Sequence, residues 1–289
     1  MTQSIHADTS LGKLKLKVRD LDRSIKFYQE VVGFQILDRS PDFVTLTVDG
    51  KTAFLILEEV PNAAVVPRRS VSGLYHFAIL VPSREALGLS LRRLIESGIQ
   101  VGQGDHLVSE ALYISDPENN GIEIYRDRPR TEWKKDALGN YVMGSDPVDI
   151  EGLLELAGDK PWTGLSSGTI LGHIHLHVSD LAKSRAFYCD VLGFDIAADA
   201  SKTMGAYFIS AGGYHHHIGM NIWAGVGAPQ PPANGTGLSY YTIALPSVEE
   251  LKRTLDKISA AGIASSEVEP GIWMVKDPSG IEIRLISAA

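Results

Sequence analysis

The segment Leu11-Gly12-Lys13-Leu14-Lys15-Leu16-Lys17-Val18-Arg19-Asp20-Leu21 returns as Leu171-Gly172-His173-Ile174-His175-Leu176-His177-Val178-Ser179-Asp180-Leu181. The register holds beyond it, pairing Ser24 with Ser184, Phe27-Tyr28 with Phe187-Tyr188, and Gly33-Phe34 with Gly193-Phe194. Apolar positions are kept, whereas Lys13, Lys15 and Lys17 become His173, His175 and His177. One supersecondary template is thus used twice, and only the second copy carries imidazoles that can bind a metal.

A second template is interleaved with the first. Gly73-Leu74-Tyr75-His76-Phe77-Ala78-Ile79-Leu80-Val81-Pro82-Ser83 parallels Gly237-Leu238-Ser239-Tyr240-Tyr241-Thr242-Ile243-Ala244-Leu245-Pro246-Ser247. Both copies run to Gly98-Ile99 or Gly262-Ile263 and end in Asp-Pro, a short turn and Gly-Ile-Glu-Ile. Each of the four units opens on an apolar/polar alternating strand. A helix follows, capped by Asp20, Ser83, Asp180 or Ser247 and stopped by Gly33, Gly98, Gly193 or Gly262; Ser247 with Glu250 fits a capping box. Short strands close each unit, at 44–48 and 53–57, 111–114 and 122–125, 206–210 and 218–223, and 273–275 and 281–286. The predicted fold is α+β: four β-α-β-β-β units whose curved sheets must pair, making a cleft. The units divide as 9–127 and 169–288. Residues 128–168 link them and include one short amphipathic helix, Ile150–Ala157. Gly225–Thr236, rich in proline and glycine, reads as a loop over the last cleft strand of the third unit.

Bulk properties narrow the function classes. A net charge of −8 without a basic run argues against a nucleic-acid surface. No apolar run approaches a membrane span, and no basic segment followed by an apolar core suggests a signal peptide. The single cysteine, Cys189, allows no internal disulfide and fits a reducing cytoplasm; nothing marks it as a nucleophile. No glycine-rich phosphate loop opens a helix, so nucleotide binding is unsupported.

The pattern strand-Asp-Leu-x-x-Ser-x-x-Phe-Tyr-x-x-x-x-Gly-Phe, closed by Asp-Pro and a following Gly-x-Glu, resembles the vicinal oxygen chelate superfamily. That superfamily includes glyoxalase I, fosfomycin-resistance and bleomycin-binding proteins, and extradiol ring-cleaving dioxygenases. The four-unit length resembles the extradiol branch. The segments Gly104–Tyr113 and Gly212–His217 look most like catechol 2,3-dioxygenases of the Bacillus type. The resemblance implies Fe(II), with Mn(II) as a second metal suited to such donors, and a small aromatic diol and dioxygen as substrates. A hydroquinone-cleaving dioxygenase is the nearest variant. A non-catalytic binder of the bleomycin type, which would hold no stoichiometric metal, is the rival of a different class. Glyoxalase chemistry fits less well, because its second carboxylate ligand has no counterpart before the 218–223 strand. A homo-oligomer is compatible with the family.

By the same resemblance, each unit offers metal-ligand positions: Lys13 in the first, His76 with Glu123 in the second, His173 in the third, Tyr240 with Glu282 in the fourth. Pairing the third and fourth units, as in familiar extradiol enzymes, gives His173, Tyr240 and Glu282. Pairing the second and third gives His76, Glu123 and His173, a complete two-histidine, one-carboxylate set with open positions for Fe(II). The second arrangement is the one adopted, although Glu282 in the same motif leaves a structural role open for Glu123. His175 and His177 face the same way as His173 and are expected to border the cleft. The resemblance places the acid/base histidine at His216, in the run His215-His216-His217, which as sequence reads equally as a solvated turn. It matches Tyr113 to a tyrosine that contacts substrate oxygen, and sets His106 near a supporting histidine position. Of nine histidines, only His6 lies outside the segments that this fold aims at the cleft.

Overall fold

The computed structural model describes residues 4–288. The first unit is β1 (Ser10–Val18), α1 (Leu21–Phe27), β2 (Gln35–Arg39), β3 (Phe43–Thr47) and β4 (Ala53–Glu59). The second is β5 (Gly73–Leu80), α2 (Arg84–Glu96), β6 (Gly102–Asp105), β7 (Ser109–Ser115) and β8 (Gly121–Asp127). After the linker helix α3 (Ile150–Ala157) comes the third: β9 (Ile170–His177), α4 (Leu181–Arg185), β10 (Asp195–Ala200), β11 (Ala206–Ser210) and β12 (Ile218–Asn221). The fourth is β13 (Gly237–Leu245), α5 (Val248–Ala260), β14 (Ser265–Glu269), β15 (Ile272–Lys276) and β16 (Glu282–Ser287). All four predicted caps accept a backbone N–H three residues on, each interaction worth about 1 kcal/mol. α1 and α4 both run on into a π-helical segment, Tyr28–Val32 and Ala186–Leu192, before the stopping glycine. No helix among the described residues is long and apolar enough to cross a membrane.

The strands form two eight-stranded sheets. One runs β14-β15-β16-β13-β1-β4-β3-β2, joining the first and fourth units; the other runs β10-β11-β12-β9-β5-β8-β7-β6, joining the second and third. Each sheet therefore takes one unit from each half of the sequence. In both, the opening strands of two units meet antiparallel at the centre, β1 with β13 and β5 with β9. The Gly225–Thr236 loop runs against the Val60–Ser72 segment: Asn234 O accepts from Ala64 N, and Pro229 O from Ser72 N.

The motifs that repeat also tie the sheets together. Tyr28 donates to Asp116 Oδ2 at 2.8 Å and Tyr188 to Asp277 Oδ2 at 3.1 Å, so the Phe-Tyr pairs of the first and third units each reach the Asp-Pro turn of the other sheet. All four side chains are buried. The Asp277 carboxyl is pushed up from 3.8 to about 6 by burial, against the backbone N–H groups and Tyr188 that pull it down. The folded protein thus holds this proton more tightly than the unfolded chain. Its stabilising contribution is fully present below the unfolded value and is lost as the pH rises through the folded one. Asp277→Asn removes this dependence. Urea unfolding of parent and variant is expected to show their free-energy difference changing by about 2 kcal/mol between about pH 4 and pH 6.5. A difference that stays flat across that range would contradict the assignment.

Candidate metal centre

One row of residues across the second sheet builds the site. His173 on β9 faces Ala78 on β5, Ala78 faces Glu123 on β8, and Glu123 faces Tyr113 on β7. Neighbouring strands lie about 4.8 Å apart, so His173 and Glu123 must meet over the top of Ala78. They do: His173 Nε2 lies 3.1 Å from Glu123 Oε2. His76, two residues before Ala78 and so on the same face, brings its Nε2 to 3.1 Å from the same oxygen. The three ligand atoms lie within 4.8 Å of one another, and all three residues are buried. Ala78 is a site residue that the sequence reading missed. A longer side chain there would fill the space through which His173 reaches Glu123. Ala78→Leu is expected to weaken metal binding by about tenfold or more, measured by competition with a chromophoric chelator. Unchanged affinity would mean that the row is not the limiting geometry.

The first sheet carries the repeated motif but not the site. The turn Asp277-Pro278-Ser279-Gly280 is two residues shorter than Asp116-Pro117-Glu118-Asn119-Asn120-Gly121. The backbone geometry of the two turns is nonetheless alike. Asp116 Oδ1 accepts from Glu118 N and Asn120 N, and Asp277 Oδ1 from Ser279 N and Ile281 N. Asn119 at φ +69° therefore matches Gly280 at φ +82°. Counting on from there, Glu282 matches Gly121, and Arg284 takes the place of Glu123. Strand pairing agrees, since Thr242 faces Arg284 as Ala78 faces Glu123. This corrects the sequence alignment of Glu282 with Glu123. Lys13, in a bulge opposite Thr242, stands where His173 does in the other sheet. The row that holds His173 and Glu123 thus has two cations here. Arg284 also pairs with Glu282 at 2.7 Å and covers the Tyr240 ring at 4.8 Å.

The electrostatics of the trio call for a cation. Burial alone would raise the Glu123 carboxyl, but His173 and His76 together hold it well below the ordinary glutamate range. Burial drives His173 down to about 4, against the pull of Glu123. The arrangement favoured near neutrality is thus a carboxylate beside a neutral His173, a buried negative charge without full compensation, which is costly. His76 Nε2, although close to the carboxylate, has no hydrogen-bond partner, and neither does His173 Nδ1. Metal–ligand bonds of about 2.1 Å at right angles put neighbouring donors about 3 Å apart, close to the two Nε2–Oε2 separations. The donor set, its spacing and its unmet charge all fit a divalent metal.

A cavity of about 710 Å³ opens on His76 and Glu123, with Tyr113, His106, His175 and His216 also in its lining and Tyr75, Phe208 and Trp223 as walls. His216, with its ring centroid 4.1 Å from that of His173, is buried, not part of a solvated turn. Burial holds its imidazole well below the usual histidine range, with the neighbouring histidines adding to the effect. His106 Nδ1 is 2.8 Å from Gly144 O and its Nε2 is 2.6 Å from Tyr113 Oη. A carbonyl only accepts, so Nδ1 carries the hydrogen and Nε2 accepts from Tyr113. The Tyr113 lone pairs are left for a ligand. Burial keeps this hydroxyl well above its ordinary range, so it remains a phenol. His175 lines the cavity with its Nε2 unpartnered, and His177 turns to Asn221 Oδ1 at 2.6 Å. Part of the linker also belongs to the site. Residues 140–145 line the cavity, held by Tyr141 N to Ala197 O, Tyr141 Oη to Gly213 O and His106 to Gly144. Polar linker composition gave no signal of this.

Comparison with known proteins agrees with the fold. Residues 10–124 and 170–285 match the family model of the Glyoxalase/Bleomycin resistance protein/Dioxygenase superfamily. The chain is 57% identical to "Catechol-2,3-dioxygenase" of Bacillus subtilis (strain 168), over 98% of this chain and 99% of that protein. It is 23% identical to "Biphenyl-2,3-diol 1,2-dioxygenase" of Pseudomonas sp. (strain KKS102), over 89% of this chain and 79% of that protein. The crystal structure of glyoxalase I from Zea mays shares the fold at a TM-score of 0.57, with 16% identity, covering 97% of this chain and 92% of that one. The chain belongs to the glyoxalase/bleomycin resistance/dioxygenase, or vicinal oxygen chelate, superfamily. Within it, the full-length likeness makes it an extradiol dioxygenase.

Proposed function

We propose that the protein opens the ring of catechol or a substituted catechol, using Fe(II) held by His76, Glu123 and His173. The observation that carries this reading is the convergence of these three buried donors beside an aromatic-lined cavity, into which His76 and Glu123 face. Fe(II) in a two-histidine, one-carboxylate set supplies open positions for the diol and for dioxygen; Mn(II) suits the same donors. The protein's own groups do the rest. His216, neutral at physiological pH, accepts a catechol proton and later returns it. Tyr113, donating to His106, offers its lone pairs to a substrate hydroxyl and fixes the ring's orientation. Tyr75, Phe208 and Trp223 grip the ring and exclude water. With the reacting oxygen held between His216 and Tyr113, much of the entropic cost of alignment is met on binding.

Anaerobic loading with Fe(II), followed by oxygen uptake on addition of catechol, tests the reading. Equimolar consumption of oxygen and catechol, with a coloured ring-opened product, is the expected result. Loaded protein that consumes oxygen with neither catechol nor hydroquinone would sink it. Turnover of hydroquinone alone would replace the proposed substrate while keeping ring cleavage.

A further inference from the structure

His216 is one end of a hydrogen-bonded file that leads back to a carboxylate. Asp127 Oδ1 lies 2.8 Å from His215 Nε2, and His215 Nδ1 lies 2.8 Å from His216 Nδ1. Tyr214 donates to the same Asp127 oxygen at 3.1 Å, and Tyr125 lies 2.7 Å behind Tyr214. His215 is fully buried, and the linker residue Trp133 packs on its ring at a centroid distance of 5.1 Å, shutting out water that could offer other partners. The fold keeps room for this file at Gly172, where a Cβ would fall 1.9 Å from the Tyr125 hydroxyl.

Counting hydrogens along the file gives one solution for neutral rings. A carboxylate only accepts, so His215 Nε2 carries the hydrogen. A neutral imidazole has a single N–H, so His215 Nδ1 is the accepting nitrogen. His216 Nδ1 must then donate, which leaves its Nε2 a bare lone pair. Among the described residues nothing hydrogen-bonds to that Nε2, and His216 lines the cavity. We infer that Asp127 and His215 are positioning residues that hold His216 in the Nδ1–H tautomer, so that Nε2 faces the cavity as a proton acceptor. The inference rests on the reading of His216 as the acid/base group. Without the file the ring is free to carry its hydrogen on Nε2, where it would meet a substrate hydroxyl as a donor. The tautomer of a histidine is set by the bond its other nitrogen makes, and here that bond is dictated two residues away.

The test is a direct reading of the tautomer. Protein labelled with ¹⁵N at histidine and loaded with Zn(II), a diamagnetic probe, reports each ring nitrogen as protonated or bare, with His216 assigned through His216→Gln. The parent is expected to show Nδ1 protonated and Nε2 bare. His215→Phe keeps the ring volume but removes the acceptor. It is expected to move His216 toward Nε2–H, and to lower kcat of the iron enzyme by about 10²-fold or more, with KM within about threefold and iron retained. Asp127→Asn, whose amide can present either end, is expected to give a mixture of tautomers and a smaller loss. It serves as the second variant if His215→Phe does not fold. A parent whose His216 carries hydrogen on Nε2 would overturn the inference, as would a folded variant matching the parent in both tautomer and kcat. A tautomer shift with no loss of kcat would overturn the acid/base role itself.

Discussion

Replacing His76, Glu123 or His173 by alanine, one at a time, is expected to take bound iron from about one per chain to under about a tenth. Each supplies one of three strong donors within 4.8 Å of one another, and an open-sided iron site has no spare ligand to lose. The controls lie in the other sheet. Tyr240→Phe and Glu282→Gln are expected to leave iron in place, because Glu282 is already paired with Arg284 and lies out of register with Glu123. Tyr240 is also a poor donor, since burial raises its hydroxyl still further above neutrality. Iron is read by elemental analysis after anaerobic loading and desalting, with circular dichroism to show that each variant is folded. Full iron in any one of the three alanine variants would remove that residue from the ligand set. Loss of iron in Glu282→Gln would mean that the first sheet holds a metal after all.

His216→Ala is expected to keep its iron and to lose ring cleavage by about 10²-fold or more, the usual scale for removing a general acid–base group. The separation of the two effects follows from geometry. His216 packs at a tilt against His173 but is not one of the three converging donors. It acts on the substrate proton, so binding of catechol should change little while kcat falls. Anaerobic titration with catechol, read through the iron chromophore, separates binding from turnover. If the variant turns over as fast as the parent, the proton goes elsewhere. If it loses the metal, the histidine run is part of the ligand set.

Much of this could be read in advance because repetition separates constraint from chemistry. The exchange of Lys13 for His173 inside a kept apolar frame pointed to one metal-bearing copy. The pairing of the second and third units followed from needing two imidazoles and a carboxylate together. What stayed hidden has physical causes. β2, β6, β10 and β14 are the short edge strands of the two sheets, and only Gly104, Ala197 and Ala198 are buried in them, so they carry little period-two signal. Ala78 has no chemistry of its own; its role is to be small at the crossing point of His173 and Glu123. Glu282 misled because the eye aligns Gly-Ile-Glu-Ile, whereas the chain aligns from the aspartate of the turn. A turn shorter by two residues keeps every side chain on its face yet moves the carboxylate two residues along the strand. The contribution of residues 140–145 is invisible in composition, since only tertiary contact turns a polar connection into a cavity wall.

The order in which the chain leaves the ribosome bears on how this molecule assembles. All eight strands of the histidine-bearing sheet lie between Gly73 and Asn221, whereas the other sheet joins β1–β4 to β13–β16 from the two ends of the chain. The donor-bearing half can thus knit together while the last unit is still being synthesised. β1 must wait for β13, whose residues are more than two hundred positions away, and contacts of such long separation form slowly. During that interval the apolar face of β1 through β4 lacks its partner. Slow refolding, with iron-binding capacity recovered ahead of full burial of Tyr241 and Leu14, is the kinetic signature this nesting implies.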